Sequence, residues 1–253
     1  MMQDTVYPVI DTHAHLEEFS DPQTVVDEAR HGGVVAVVAV GQDLASNRKA
    51  LDIAASNPHY VFPAVGYHPW RLDPQDHEAT LADIDRHLPR CVALGEVGLD
   101  YKAKTKKKVQ KAVFSELIAL AGKHDKPIVL HCRYSHARAF QMVRDAGLKK
   151  VVFHWFSGPV DLIPVIAAEG YYMSASPALL YNPYHQKAIS AVPMDRLLLE
   201  TDSPVTYRSL KARPVHVRVT LEQVAKLKQV PCEEVASHTT QNAKACFGLE
   251  EGS

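Results

Sequence analysis

Val9-Ile10-Asp11-Thr12-His13-Ala14-His15 starts as an apolar, β-branched run and passes without a break into acid and imidazole. A half-exposed strand alternates apolar with polar residues, whereas a continuous run of this kind reads as a strand covered on both faces. Short apolar runs recur at Val34–Val40, Val61–Gly66, Cys91–Glu96, Pro127–His131, Val151–His154, Tyr171–Ser174 and Leu197–Thr201, giving eight expected strands with the first taken as Val9–His15.

Segments of helical periodicity lie between them. Asp21-Pro22 supplies an N-cap and a first-turn proline, and Gly32-Gly33 follows the end of that helix. Further helices are expected over Ser46–Ser56, Asp76–Leu88, Lys107–Lys123, His136–Ala146, Val160–Glu169 and Tyr184–Ala191, with Pro214–Gln229 and Cys232–Phe247 after the last strand. Strands alternating with single-helix crossovers make a parallel sheet. Eight such units favour closure, and no glycine fingerprint follows the first strand to suggest an open dinucleotide-binding sheet. The expectation is an α/β fold, a (β/α)8 TIM barrel with extra C-terminal helices. The 253 residues suit one such barrel, about 250 residues in size, so residues 1–253 are expected to form a single domain.

In barrels of this type the chemistry sits at the C-terminal ends of the strands. Strand one ends in His13 and His15, which are two apart and so point the same way. Strand four is expected to end at Glu96, strand five at His131, strand six at His154, and strand eight runs into Asp202. A lone histidine at a strand end is usually a core or cap residue, and an Asp before Ser-Pro is usually a turn residue. Five strand ends carrying His, Glu or Asp, and none carrying Lys or Arg, point together to metal. Four imidazoles and two carboxylates exceed what one tetrahedral ion needs, and a carboxylate such as Glu96 can bridge. Two divalent ions are therefore expected. Mixed nitrogen and oxygen ligation suits Zn, Mn or Fe, with Mg at a weaker position.

Composition narrows the setting. A formal net charge of −1 leaves any nucleic-acid affinity to a local patch. Cys91, Cys132, Cys232 and Cys246 form no CxxC pair, the N-terminus shows no signal-peptide pattern, and the apolar run Val34–Val40 is too short to span a bilayer. These features predict a cytoplasmic protein with no membrane association and no obligate protein partner.

The segments IDTHAHL (10–16), VGYHPW (65–70), LGEVGLDY (94–101), LHCR (130–133), FHWFSG (153–158), LLLETDSP (197–204) and TTQNAKACFGL (239–249) resemble, in order and spacing, the TatD-related hydrolases. That family is a deoxyribonuclease-type branch of the metal-dependent amidohydrolase-like barrels. The resemblance implies that His13, His15, Glu96 and Asp202 hold one ion and Glu96, His131 and His154 the second. It also makes Asp202 the group that orients or deprotonates the attacking water, with Asp202 and Glu96 as catalytic residues and His68 and Arg133 binding the phosphate. The implied activity is 3′→5′ exonuclease cleavage of DNA by a metal-bound hydroxide. Two segments depart from the family pattern. Ala212-Arg213-Pro214 stands near the common Arg-Asn-x-Pro, and Tyr134-Ser135-His136 follows LHCR where an acidic residue and Ala are common.

Two features speak for nucleic acid on their own. Lys102, Lys104, Lys106, Lys107 and Lys108 fall in the loop after strand four, on the expected metal face, and lysines at a helix N-terminus oppose its dipole. Tyr67, Trp70, Tyr101, Tyr134, Trp155 and Phe156 fall in loops on that face; Trp155 and Phe156 are expected to pack around the metals, and Tyr67 and Trp70, which flank His68, are the expected base-stacking pair. The leading expectation is a phosphodiesterase acting on single-stranded DNA ends. The alternatives are a two-metal hydrolase of a small phosphoester, amide or lactone, and a non-catalytic module that retains a metal site.

Overall fold

The computed structural model describes residues 6–249. Eight strands form one parallel sheet in sequence order: β1 (Val9–Ala14), β2 (Val34–Val40), β3 (Val61–Val65), β4 (Ala93–Asp100), β5 (Ile128–Arg133), β6 (Val151–Phe153), β7 (Tyr172–Ala175) and β8 (Leu197–Leu199). The first and last meet. Ala14 bridges Ser203 in parallel, the His15 amide donates to Ser203 O, and the Asp202 amide donates to His13 O. The TIM-barrel expectation is thus met.

The seam between β1 and β8 is polar, with Thr12 donating to Leu199 O across it. Asp11 is buried, and its carboxylate accepts from the amides of His13 and Thr201 and from the Thr201 hydroxyl at 2.6 Å. Burial raises its pKa well above the usual range, against the pull of those donors. Asp11 therefore stitches the barrel closed.

The crossover helices follow the local signals. α1 (Pro22–His31) is capped by the Asp21 carboxylate on the Thr24 amide. α2 (Leu44–Ser56) begins two residues earlier than expected because Asp43 and Ser46 form a reciprocal capping box. α3 (His77–His87), α4 (Lys107–Lys123) and α5 (His136–Asp145) lie where periodicity put them. The expected helix Val160–Glu169 is instead a 3-10 turn followed by a short α6 (Ile163–Ala168), with Pro164 unable to donate into a continuous ladder. α7 (Pro183–Ala191), α8 (Val217–Lys228) and α9 (Cys232–Phe247) complete the set, with α9 packed on β1 and β8. A two-stranded hairpin, β9 (Thr206–Tyr207) and β10 (Leu210–Lys211), was not foreseen.

One strand boundary matters for the site. β4 was expected to end at Glu96 but runs on to Asp100, so Glu96 lies within the strand. The extension needs Gly98, whose φ is +140° and where a Cβ would come within 2.2 Å of His131 O on the neighbouring strand. Among the described residues, no helix is long and apolar enough to cross a membrane. All four cysteines are free.

Candidate metal centre

The eight expected site residues converge at the C-terminal mouth of the barrel. A cavity of about 570 Å³ there is lined by His15, His68, Glu96, His131, Arg133, His154 and Asp202, among others, with His13 buried beneath. His13 and His15 leave β1 on the same side, and their Nε2 atoms stand 3.3 Å apart. Asp202 follows β8 with φ +48°, a left-handed conformation in which Asp is tolerated better than most residues. Its Oδ1 lies 3.5 Å from His13 Nε2 and 3.3 Å from His15 Nε2.

Glu96 stands at the centre, nearly fully buried, and its two oxygens face different partners. Oε2 lies 3.7 Å from the Nε2 atoms of both His13 and His15. Oε1 lies 2.9 Å from His131 Nδ1 and 2.7 Å from His154 Nε2. Gly66 on the neighbouring strand makes this approach possible, since a Cβ there would come within 2.3 Å of the Glu96 amide nitrogen.

The donor chemistry fits divalent cations. Burial alone would raise the Glu96 carboxyl, but the imidazoles of His68, His154, His13 and His131 hold it well below the usual range. Asp202 is likewise lowered against burial, by His15, His13 and His154. In return His15 and His154 are raised well above the usual value despite desolvation, by Asp202 and Glu17 for the one and by Glu96 and Glu200 for the other. Buried carboxylates that stay anionic by loading protons onto their imidazole neighbours mark a site short of positive charge, which divalent ions supply.

His68 differs from the other imidazoles. Its Nδ1 accepts from the Trp70 amide at 3.1 Å, which leaves the proton on Nε2, 3.6 Å from Glu96 Oε1. Burial drives its pKa down to about 3, so the ring is neutral. A neutral ring with an N–H facing the cavity can donate to a bound oxygen, and its position beside Glu96 and His131 also admits ligation.

Two acids behind the ligands escaped the sequence reading. Asp100 Oδ2 accepts from His131 Nε2 at 3.0 Å and from the Trp70 indole at 2.7 Å, while Oδ1 accepts from the Lys102 and Ala103 amides. Glu200 Oε1 lies 3.4 Å from His154 Nδ1, and Glu200 also accepts from the Trp155 amide and the Ser174 hydroxyl. Those bonds hold Trp155 at φ +42°, an unusual conformation for a bulky residue. Period-2 spacing was the available signal: Asp100 lies four residues from Glu96 on one strand, and Glu200 two before Asp202.

Other expectations fare differently. Tyr67 is buried, with its hydroxyl on Asp73 O, so it is not a stacking surface; the apolar packing under β3 claims it. Trp70 is 56% exposed. Phe156 is buried in the core, in keeping with the packing role expected of it. Arg213 pairs with Glu28 at 2.7 Å, and its backbone amide donates to His216 Nδ1, so it serves the barrel wall rather than the mouth.

The model of the TatD-related deoxyribonucleases matches residues 10–248. The chain belongs to this family. It is 30% identical to human deoxyribonuclease TATDN3, over 94% of each chain. It is 32% identical to the metal-dependent hydrolase YabD of Bacillus subtilis, over 95% of this chain and 99% of that one. The 3′-5′ ssDNA/RNA exonuclease TatD of Erwinia tasmaniensis is 31% identical over 90% of this chain and 94% of its own length. Among solved structures, the TatD homologue YJJV of Escherichia coli superposes with a TM-score of 0.86 at 24% identity, covering 96% of this chain and 98% of that one. The family barrel is therefore shared closely even where sequence is not.

Proposed function

We propose that this TatD-family hydrolase is a 3′→5′ exonuclease on single-stranded DNA, dependent on two divalent ions. The observation that carries the proposal is the division of Glu96 between two sets of ligands at one end of the barrel, alongside kinship with named nucleases. In this reading His13, His15, Glu96 and Asp202 hold one ion, and Glu96, His131 and His154 hold the other. Such ions, when bound, polarise a phosphoryl oxygen and bring the pKa of water toward neutrality.

The chain's own groups do the rest. Asp202, kept anionic by His15, His13 and His154, accepts the proton of the attacking water and orients it. His68 donates its Nε2 proton to a phosphoryl oxygen, and its neutrality spares the site a further buried charge. Arg133 ends β5 with an exposed side chain at the cavity rim, where it neutralises charge on the phosphate. Asp100 fixes the orientation of His131 by a hydrogen bond and raises its basicity as a ligand, and the Glu200 carboxylate, 3.4 Å from His154 Nδ1, favours positive charge on that ring.

The test is cleavage of end-labelled single-stranded DNA by metal-stripped protein, with Mg²⁺, Mn²⁺ or Zn²⁺ restored and Asp202→Asn as control. Stepwise shortening from the 3′ end that needs both metal and Asp202 is expected. No cleavage with both ions demonstrably bound would overturn the nuclease reading.

A further inference from the structure

A second cavity of about 960 Å³ opens beside the metal centre, and the two share Cys132, Arg133, Ser157 and Asn182 along their common border. Its lining contains two arginines, three tyrosines and a histidine, and no Asp or Glu. On a chain with a net charge of −1, a pocket of that size without a carboxylate is a local cationic surface continuous with the site of chemistry.

Its walls match a nucleotide. Tyr134 and Tyr184 are 69% and 77% exposed, so their rings pack against little of the protein. Tyr134 is also held at φ +55°, a strained conformation that no burial of its ring offsets. Lys102 Nζ lies 5.5 Å from the Tyr134 ring centroid and Lys107 Nζ 4.4 Å from that of Tyr101, which brings the lysine loop to the same groove. Arg133 makes no side-chain hydrogen bond or ion pair among the described residues, and Arg138 reaches only Gln141. The floor is the start of α5, where the Ser135 hydroxyl is turned away to Leu99 O and leaves the helix end without a side-chain cap. His136 lines the same cavity, buried, with Nε2 unpartnered among the described residues. A helix N-terminus beside two guanidinium groups takes phosphate, and open tyrosine rings take bases.

We propose that this groove is a second nucleotide subsite, which holds the phosphate and base of the nucleotide adjoining the one removed from single-stranded DNA. The proposal rests on the phosphodiesterase reading above and adds to it a preference for a strand over an isolated phosphoester. Arg138 and the α5 amides take the phosphate, and Tyr134 and Tyr184 take the base.

The experiment compares kcat/KM on the p-nitrophenyl ester of thymidine phosphate with that on oligothymidylates of increasing length. It is paired with fluorescence anisotropy of a labelled oligothymidylate on the same metal-loaded proteins. In the wild type the longer substrates are expected to be preferred about tenfold, the scale of one stacked base. Tyr134→Ala, Arg138→Ala and Tyr184→Ala should each bring that ratio toward one and weaken oligothymidylate binding, while Tyr134→Phe keeps the preference. A ratio and an affinity unchanged in all three variants would overturn the subsite. If the wild type cleaves no phosphodiester, the activity reading fails, and the anisotropy series decides the groove by itself: weaker binding by the variants upholds it, equal binding overturns it.

Discussion

Glu96 is the residue on which most of the proposed chemistry depends, because each of its oxygens faces a different group of imidazoles. Glu96→Ala is expected to lose both ions per chain, and His154→Ala to weaken chiefly one of them; metal analysis after gel filtration separates the two outcomes. Equal loss of both ions in His154→Ala would contradict the division. Asp100→Asn should cost roughly 10–100-fold in affinity for the ion near His131, since an amide cannot take the imidazole proton as a carboxylate does. Calorimetric titration of the metal checks this, and an unchanged isotherm would remove Asp100 from the site. The candidate ligands were legible because imidazole and carboxylate recur at successive strand ends, beginning with His13 and His15. Asp100 and Glu200 were hidden because an acid behind a ligand looks, in sequence, like any acid near a turn. Only their even spacing from Glu96 and Asp202 hints at them.

At the scale of elements, the strands and long helices were legible where burial and capping act locally. α4 and α9 fall on their expected limits because nothing interrupts their periodicity. β4 was misjudged at its end because its last residues depend on a contact with β5 across Gly98, which no local pattern reports. Gly98→Ala is therefore expected to destabilise the protein by about 1–3 kcal/mol through backbone strain and overpacking. The loss would be read as a lower denaturation midpoint; an unaltered midpoint would show that the β4–β5 pairing yields without strain. The hairpin of β9 and β10 was invisible for a simpler reason, since two-residue strands carry no periodicity.

The whole molecule is held at neutral pH partly by histidines that stay uncharged. His185, a buried residue of α7, accepts the Ser176 amide on Nε2, and its Nδ1 lies 2.8 Å from Phe156 O, as in a neutral ring. Burial lowers its pKa to about 4. The unfolded chain takes up this proton as pH falls below about 6.5, while the folded chain resists until about 4. Stability from this residue is thus complete above pH 6.5 and lost progressively between pH 6.5 and 4. Thermal unfolding should show a melting temperature that falls over that window, less steeply in His185→Gln; parallel pH profiles for the two proteins would show that His185 does not contribute. Metal removal acts on the same quantity. Saturating Mn²⁺ or Zn²⁺ should raise the melting temperature over the stripped protein, with about 2.7 kcal/mol gained at a hundredfold excess over Kd. An identical melting temperature would mean that the folded mouth binds neither ion.

Asp100 has two oxygens with two duties: one accepts from the His131 ring and the other from the first amides of the lysine loop. The carboxylate is in effect a hinge pin between a surface segment that meets solvent and an imidazole in the interior. Anything that pulls the loop away must either drag the pin or break its bonds, and in both cases His131 loses the partner that aims it. The loop's posture and the ring's orientation are then one mechanical variable rather than two. A cut or insertion between Lys102 and Thr105, which removes none of the candidate ligands, would be felt inside the barrel.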